Sequence, residues 1–293
     1  MLIFVFRRKL FNFIKFSSIS LTEMKASTSK AAKNRKHVAV SYEDDKKEEE
    51  DVGNKKTKIA PKNWEIIFKN IKQMRLEHKS PVDTMGCEQC ADKKASPANQ
   101  RFQILVALML SAQTRDEVTF AACQRLKEYG FTPESIANAD QTKLEELLAP
   151  VGFYRTKAKH IKQTSQILID QHNSDVPNDL KELLKLPGIG KKMANIALSS
   201  CWNNIVGIGV DVHVHRIANR LNWVNTKTPE KTQDELESWL PRNYWKEVNL
   251  MLVGFGQSVC TPKNPKCGEC LNNKICPSAF KEEKGNKKKN TKA

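Results

Sequence analysis

An all-α fold is expected from this chain. Large apolar side chains recur at the helical period, alternating runs that would form half-buried strands are scarce, and the ends of the periodic segments carry residues that helix termini favour. Trp64, Ile67, Ile71 and Met74 make one apolar stripe, and Phe102, Leu105, Val106 and Met109 make a second. Thr132-Pro133 and Thr228-Pro229 each offer a capping hydroxyl followed by a proline, whose missing N–H costs nothing in a first turn. Gly130 stands where a helix ends and a residue without a Cβ is favoured. Further helices are expected over residues 141–149, 155–171, 179–186, 190–201, 212–221, 229–240 and 243–257.

The tails differ from this middle. Residues 1–22 carry Arg7, Arg8, Lys9 and Lys15 among Phe and Ser, with no acid before Glu23, a composition that resembles a mitochondrial presequence. The apolar run MLIFVF precedes the basic residues, the reverse of a secretory signal, and no later stretch reaches the roughly 20 apolar residues of a membrane helix. Residues 23–60, with the block DDKKEEED, lack the large apolar side chains needed to offset ordering entropy and are expected to be disordered. The basic tail 281–293 shares that property. The presequence-like start points to mitochondria, whereas the lysine-rich segment 25–58 and the tail point to the nucleus. Met24 is placed to start a shorter form without the presequence.

Composition also bounds the partner. The 293 residues have room for one large or two modest domains. Against 33 acids stand 49 Lys and Arg, a net charge of +16. Each basic side chain that meets a phosphate releases a condensed counterion, so nucleic acid is the leading partner and an anionic membrane surface the rival.

Four of the eight cysteines, Cys260, Cys267, Cys270 and Cys276, crowd into CTPKNPKCGECLNNKIC, which favours metal binding over disulfides and hence a reducing compartment. Four soft thiolates suit zinc or an iron-sulfur cluster, and chemistry alone leaves both open. Lys263, Lys266 and Lys274 stand between them, where they either meet phosphates or remain solvated. Cys87 and Cys90 form a lone C-x2-C with no further ligand nearby and read as structural, while Cys123 and Cys201 read as small buried hydrophobes.

The stretch DLKELLKLPGIGKKMANIALSS reads as helix, tight turn and helix. Gly188 and Gly190 let the backbone turn sharply and approach a phosphate, which exposed amides and the positive end of the next helix receive. Such a hairpin binds DNA without reading its sequence. Lys192 follows in the first turn, beside Lys191 and at the helix N-terminus, two influences that disfavour a protonated amine, as a lysine nucleophile requires. Its plainer role is to bind phosphate. Downstream, Asp211 is placed to cap a helix bearing His213, His215, Arg216 and Arg220.

LPGIGKKMAN, then VDVHVHRIANR, then the cysteine loop resemble the endonuclease III family of the eukaryotic type in order and spacing, over residues from about 62 to 280. The resemblance implies a two-lobed helix-hairpin-helix DNA glycosylase fold: a helical barrel over 96–204 holding the hairpin at about 179–201, and a cluster domain made of 61–95 plus 205–280. It implies Lys192 as nucleophile and lyase residue, Asp211 as catalytic carboxylate, and the four cysteines as ligands of one 4Fe-4S cluster. Gln113 in LMLSAQT would fill the space left by an extruded base, Phe153 in VGFYRTKA would wedge the opposite strand, and Gly188, Gly190, Lys191 and His213 would contact DNA. The implied activity is removal of oxidised pyrimidines from double-stranded DNA, with β-elimination at abasic sites. Monomer is the default, and no membrane partner is implied. Two rivals are an adenine DNA glycosylase, which lacks the lysine and carries a glutamate where this chain has QILVALM, and a non-catalytic hairpin protein that kept the scaffold.

Overall fold

The computed structural model describes residues 59–281. The presequence-like segment, nearly all of the 23–60 linker and all but the first residue of the tail lie outside the described residues. Those that are described form twelve α-helices and three short 3-10 turns and no strand, so the chain is all-α.

The helices run α1 (Trp64–Glu77), α2 (Pro81–Met85), α3 (Pro97–Ser111), α4 (Asp116–Tyr129), α5 (Pro133–Asn138), α6 (Gln141–Leu148) and α7 (Tyr154–His172). They continue with α8 (Leu180–Lys185), α9 (Lys191–Trp202), α10 (Val212–Arg220), α11 (Pro229–Glu237) and α12 (Trp245–Ser258). Local chemistry sets their ends. Thr132 Oγ1 accepts from Ser135 N, and Thr228 Oγ1 from Lys231 N, each with proline in the first turn. Gly130 closes α4 at φ 126°, where a Cβ would be strained.

Two hydrophobic cores result. The first gathers α3 to α9: Phe102, Leu105 and Leu110 of α3 meet Leu126, Ile136, Leu144, Leu148, Ile161, Leu168 and Leu198. Nine consecutive residues of α3, Phe102 to Leu110, are buried, more than the single stripe expected. The reason is position: α4, α7, α9 and the 3-10 turn Cys87–Cys90 surround α3, and a central helix has no solvent face to keep polar. The second core joins α1 to α10, α11 and α12, so the start of the folded chain packs against its end. Trp64 meets Trp239 and Tyr244 edge to face at 5.5 and 5.0 Å, a geometry that adds to plain burial.

Arg75 ties α1 to α2. Its guanidinium pairs with Asp83 and lies against Gly254 in α12, where an added Cβ would stand 2.2 Å from Cζ. Cys90 and Cys123 are fully buried in the first core. Cys201 is half-buried, with Sγ 3.6 Å from the Arg101 carbonyl.

Candidate active site

The hairpin begins at α8 and turns through Leu186–Gly190 into α9. Gly188 has φ 79°, a conformation that glycine adopts without strain, and an added Cβ would stand 2.7 Å from His160 Nδ1. Ile189 anchors the turn in the first core, 7% exposed. Gly190 is exposed, with open space where a Cβ would project. It caps α9 in an extended conformation with no side-chain hydrogen bond, so the first-turn amides have no side-chain acceptor from the cap.

Lys191 and Lys192 occupy that first turn and are exposed. Neither makes a hydrogen bond or ion pair with the described residues. Lys192 lines a cleft of about 480 Å³ between the hairpin, α2 and α12. Asp211 lines the same cleft. It caps α10, Oδ1 accepting from Val214 N at 2.8 Å, so the backbone holds the carboxylate at a fixed place. The cleft thus brings together an exposed amine and a carboxylate, each at the start of a helix.

Sequence reasoning missed Asp116, which lines this cleft together with Asp83, Glu88 and Glu247. Burial pushes its pKa up, against the opposing hydrogen bond from Gln257 Nε2 at 2.8 Å. Acids in the first turn of a helix are common, so nothing in RDEV marked it. Ser111 and Asn195 also line the cleft; Asn195 sits one turn after Lys192, 2% exposed.

The other expected DNA contacts lie off the cleft lining. Gln113 follows α3 at φ 52°, and Phe153 precedes α7 at φ 57°. Both are exposed, Phe153 to 67%. His213 packs back on α12, where a Cβ on Gly256 would stand 2.7 Å from its Nδ1, and Arg216 Nη2 lies 3.2 Å from the same atom. Burial lowers its pKa, with Asp211 acting in the opposite direction.

All four C-terminal cysteines line one cavity of about 110 Å³, walled by Leu221, Phe255 and Val259, and none is in a disulfide. No three His, Cys, Asp or Glu among the described residues stand close enough to hold one metal ion. Burial pushes the Cys260 thiol up and takes Cys270 to about 11, and a bound cationic centre would favour the thiolate forms. Arg220 Nη1 lies 3.5 Å from Cys260 Sγ and donates to the Thr261 carbonyl at 2.7 Å, while Arg216 donates to the Cys260 carbonyl at 3.0 Å. Buried Asn272 fastens the loop to α1 through Asn70 and the Ile67 carbonyl. Four thiol donors on one cavity suit a thiolate-bound metal centre, zinc and iron-sulfur alike.

Comparison with known proteins follows the same lines. Residues 106–242 match the model of the HhH-GPD superfamily base excision DNA repair proteins. Endonuclease III-like protein 1 of Gallus gallus is 47% identical over 250 residues, covering 85% of this chain and 88% of the relative. The chain belongs to the endonuclease III family. The Mus musculus endonuclease III-like protein 1 is 52% identical over 221 residues, with 75% of this chain and 74% of the relative covered. Among solved structures, an endonuclease III trapped as a covalent intermediate on DNA aligns with TM-score 0.64 at 28% identity, over 75% of this chain and 96% of that one. For an endonuclease III family member, the cleft lined by Lys192 and Asp211 is the candidate reaction centre. No helix among the described residues is long and apolar enough to cross a membrane.

Proposed function

We infer that Lys192 and Asp211 carry out the reaction of this chain, a DNA glycosylase and abasic-site lyase of the endonuclease III family. The observation that carries the assignment is that both line one cleft, beside a hairpin whose exposed amides are suited to grip the sugar-phosphate chain. A damaged base must leave the stack before chemistry at its sugar can proceed. Lys192 Nζ then bonds to C1′ as the glycosidic bond breaks and the base departs with its electron pair. The Asp211 carboxylate stabilises positive charge growing on the sugar. Nζ loses a proton, the ring opens, and an iminium forms. Loss of a C2′ proton then expels the 3′ phosphate by β-elimination. An endonuclease III trapped as a covalent intermediate on DNA supports a covalent step. Oxidised pyrimidines are the proposed substrates.

Gly188, Gly190 and Lys191 are assigned to the phosphates, and Gln113, Phe153 and His213 to further contacts with the duplex. Cys260, Cys267, Cys270 and Cys276 would hold one 4Fe-4S cluster, whose role when bound is to shape the loop that carries Lys263, Lys266 and Lys274. Nucleus and mitochondrion are the proposed addresses.

Borohydride should trap the protein on abasic-site DNA, and Lys192→Gln should abolish the adduct; equal trapping by both proteins would remove Lys192 from the mechanism. The cluster predicts broad visible absorption from thiolate-to-iron charge transfer. Purified protein with stoichiometric zinc and no iron would overturn that assignment.

A further inference from the structure

We propose that Lys157 is a positioning residue that locks the Gln113 and Phe153 turns into one rigid two-pronged unit. Lys157 lies in the first turn of α7, 9% exposed, an unusual place for an ammonium group. Its Nζ donates to the carbonyls of Leu110 at 2.7 Å and Ala112 at 2.6 Å, and to Thr114 Oγ1 at 3.2 Å. An ammonium has three protons to give, and all three are used. Burial lowers its pKa to about 8, so at neutral pH the third proton is still present.

The acceptors explain the placement. Leu110 and Ala112 are at the C-terminal end of α3, where carbonyls lack intrahelical partners and a cation is favoured by the helix dipole. Gln113 is the next residue. On the other side, Phe153 immediately precedes α7, four positions before Lys157. One nitrogen therefore joins the end of one helix to the start of another, and a left-handed residue projects from each junction. A second tie runs between the same turns: Gly152 N donates to Thr114 Oγ1 at 3.2 Å. The turns also touch directly, because an added Cβ on Gly152 would stand 3.0 Å from the Gln113 carbonyl oxygen.

Left-handed conformations of Gln and Phe carry a local strain of about 1 kcal/mol or more each and persist only where surrounding bonds hold them. Without the ammonium, the buried Leu110 carbonyl and the outer Ala112 carbonyl lose their donor, and the α3 end is free to relax away from α7. The inference rests on the reading that Gln113 and Phe153 enter the duplex, and the fluorescence arm of its test does not depend on catalysis.

The probe is a duplex with a tetrahydrofuran abasic analogue opposite 2-aminopurine, whose fluorescence rises when the orphaned base is unstacked. Wild-type binding should raise the signal. Lys157→Met should bind the duplex yet lose most of the rise, and should process a duplex thymine glycol roughly 100-fold more slowly, as expected when a positioning contact is lost. Lys157→Arg, which keeps a charged donor, should recover most of both. In a Gln113→Ala background the Lys157→Met loss should shrink, because one acts through the other; a merely structural lysine would add its full effect. An undiminished signal in Lys157→Met, or full additivity, overturns the proposal. Should Lys157→Met fail to fold, Gly152→Ala disturbs the same junction from the opposite side and should give the same loss of signal; a wild-type signal there also overturns it. Absence of borohydride trapping in the wild type, with the fluorescence pattern intact, would instead sink the lyase reading alone.

Discussion

Asp211 caps a helix and, in the function proposed above, would serve the chemistry as well. As a cap it satisfies Val214 N; as a fixed charge it faces the cleft that holds Lys192. The two roles separate by substitution. Asparagine caps as well as aspartate, so Asp211→Asn should leave thermal stability nearly unchanged while base removal falls about 100- to 1000-fold, the scale of losing one electrostatic stabiliser. Asp211→Ala should show the same kinetic loss plus about 1 kcal/mol of destabilisation. Full activity in Asp211→Asn would reduce the residue to a cap. The cap was legible in the sequence because capping is local chemistry within three residues, whereas the catalytic role came from the family resemblance. Asp116 was not, because what sets it apart is burial against Gln257, 141 positions away.

At the scale of the element, α9 is built against its own electrostatics. A helix N-terminus favours acids; α4 opens with Asp116 and Glu117, and α12 has Glu247 in its first turn. The first turn of α9 carries no acid and instead begins with two lysines. Both features leave positive potential facing outward, which suits a DNA backbone better than it suits the isolated helix. Lys191→Glu should therefore raise stability by about 0.5 kcal/mol and weaken duplex binding. Calorimetry together with a binding titration checks this, and a less stable variant with unchanged affinity would contradict it. The extent of the element was readable beforehand, 190–201 expected against Lys191–Trp202 observed, because glycine and the apolar period mark it. The five-residue α2 was not anticipated; it is held by Arg75 on Asp83 and by Gln257 on Val82 N, contacts from other helices.

For the whole molecule, an excess of +16 acts through counterion release. If the protein meets about six phosphates, its affinity for undamaged duplex should drop about 1000-fold between about 50 and about 200 mM salt, with log K linear in log salt. A flat dependence would mean that charge contributes little to docking and would shift the weight to the hairpin and the projecting side chains.

From its order of residues alone, this protein revealed an all-helical chain, a hairpin turn with two glycines, a lysine and an aspartate at two helix starts, and four cysteines in one loop. Each of these signals is contained within a few turns of backbone, where periodicity, capping and spacing act. Only the folded chain decided which of them meet. It put Lys192 and Asp211 on one cleft, fastened the cysteine loop to α1 through Asn70 and Asn272, 202 positions apart, and sank Lys157 beneath carbonyls up to 47 positions away. Such pairings depend on how helices pack into two cores, and packing is settled by the complementarity of whole surfaces, which no local pattern encodes.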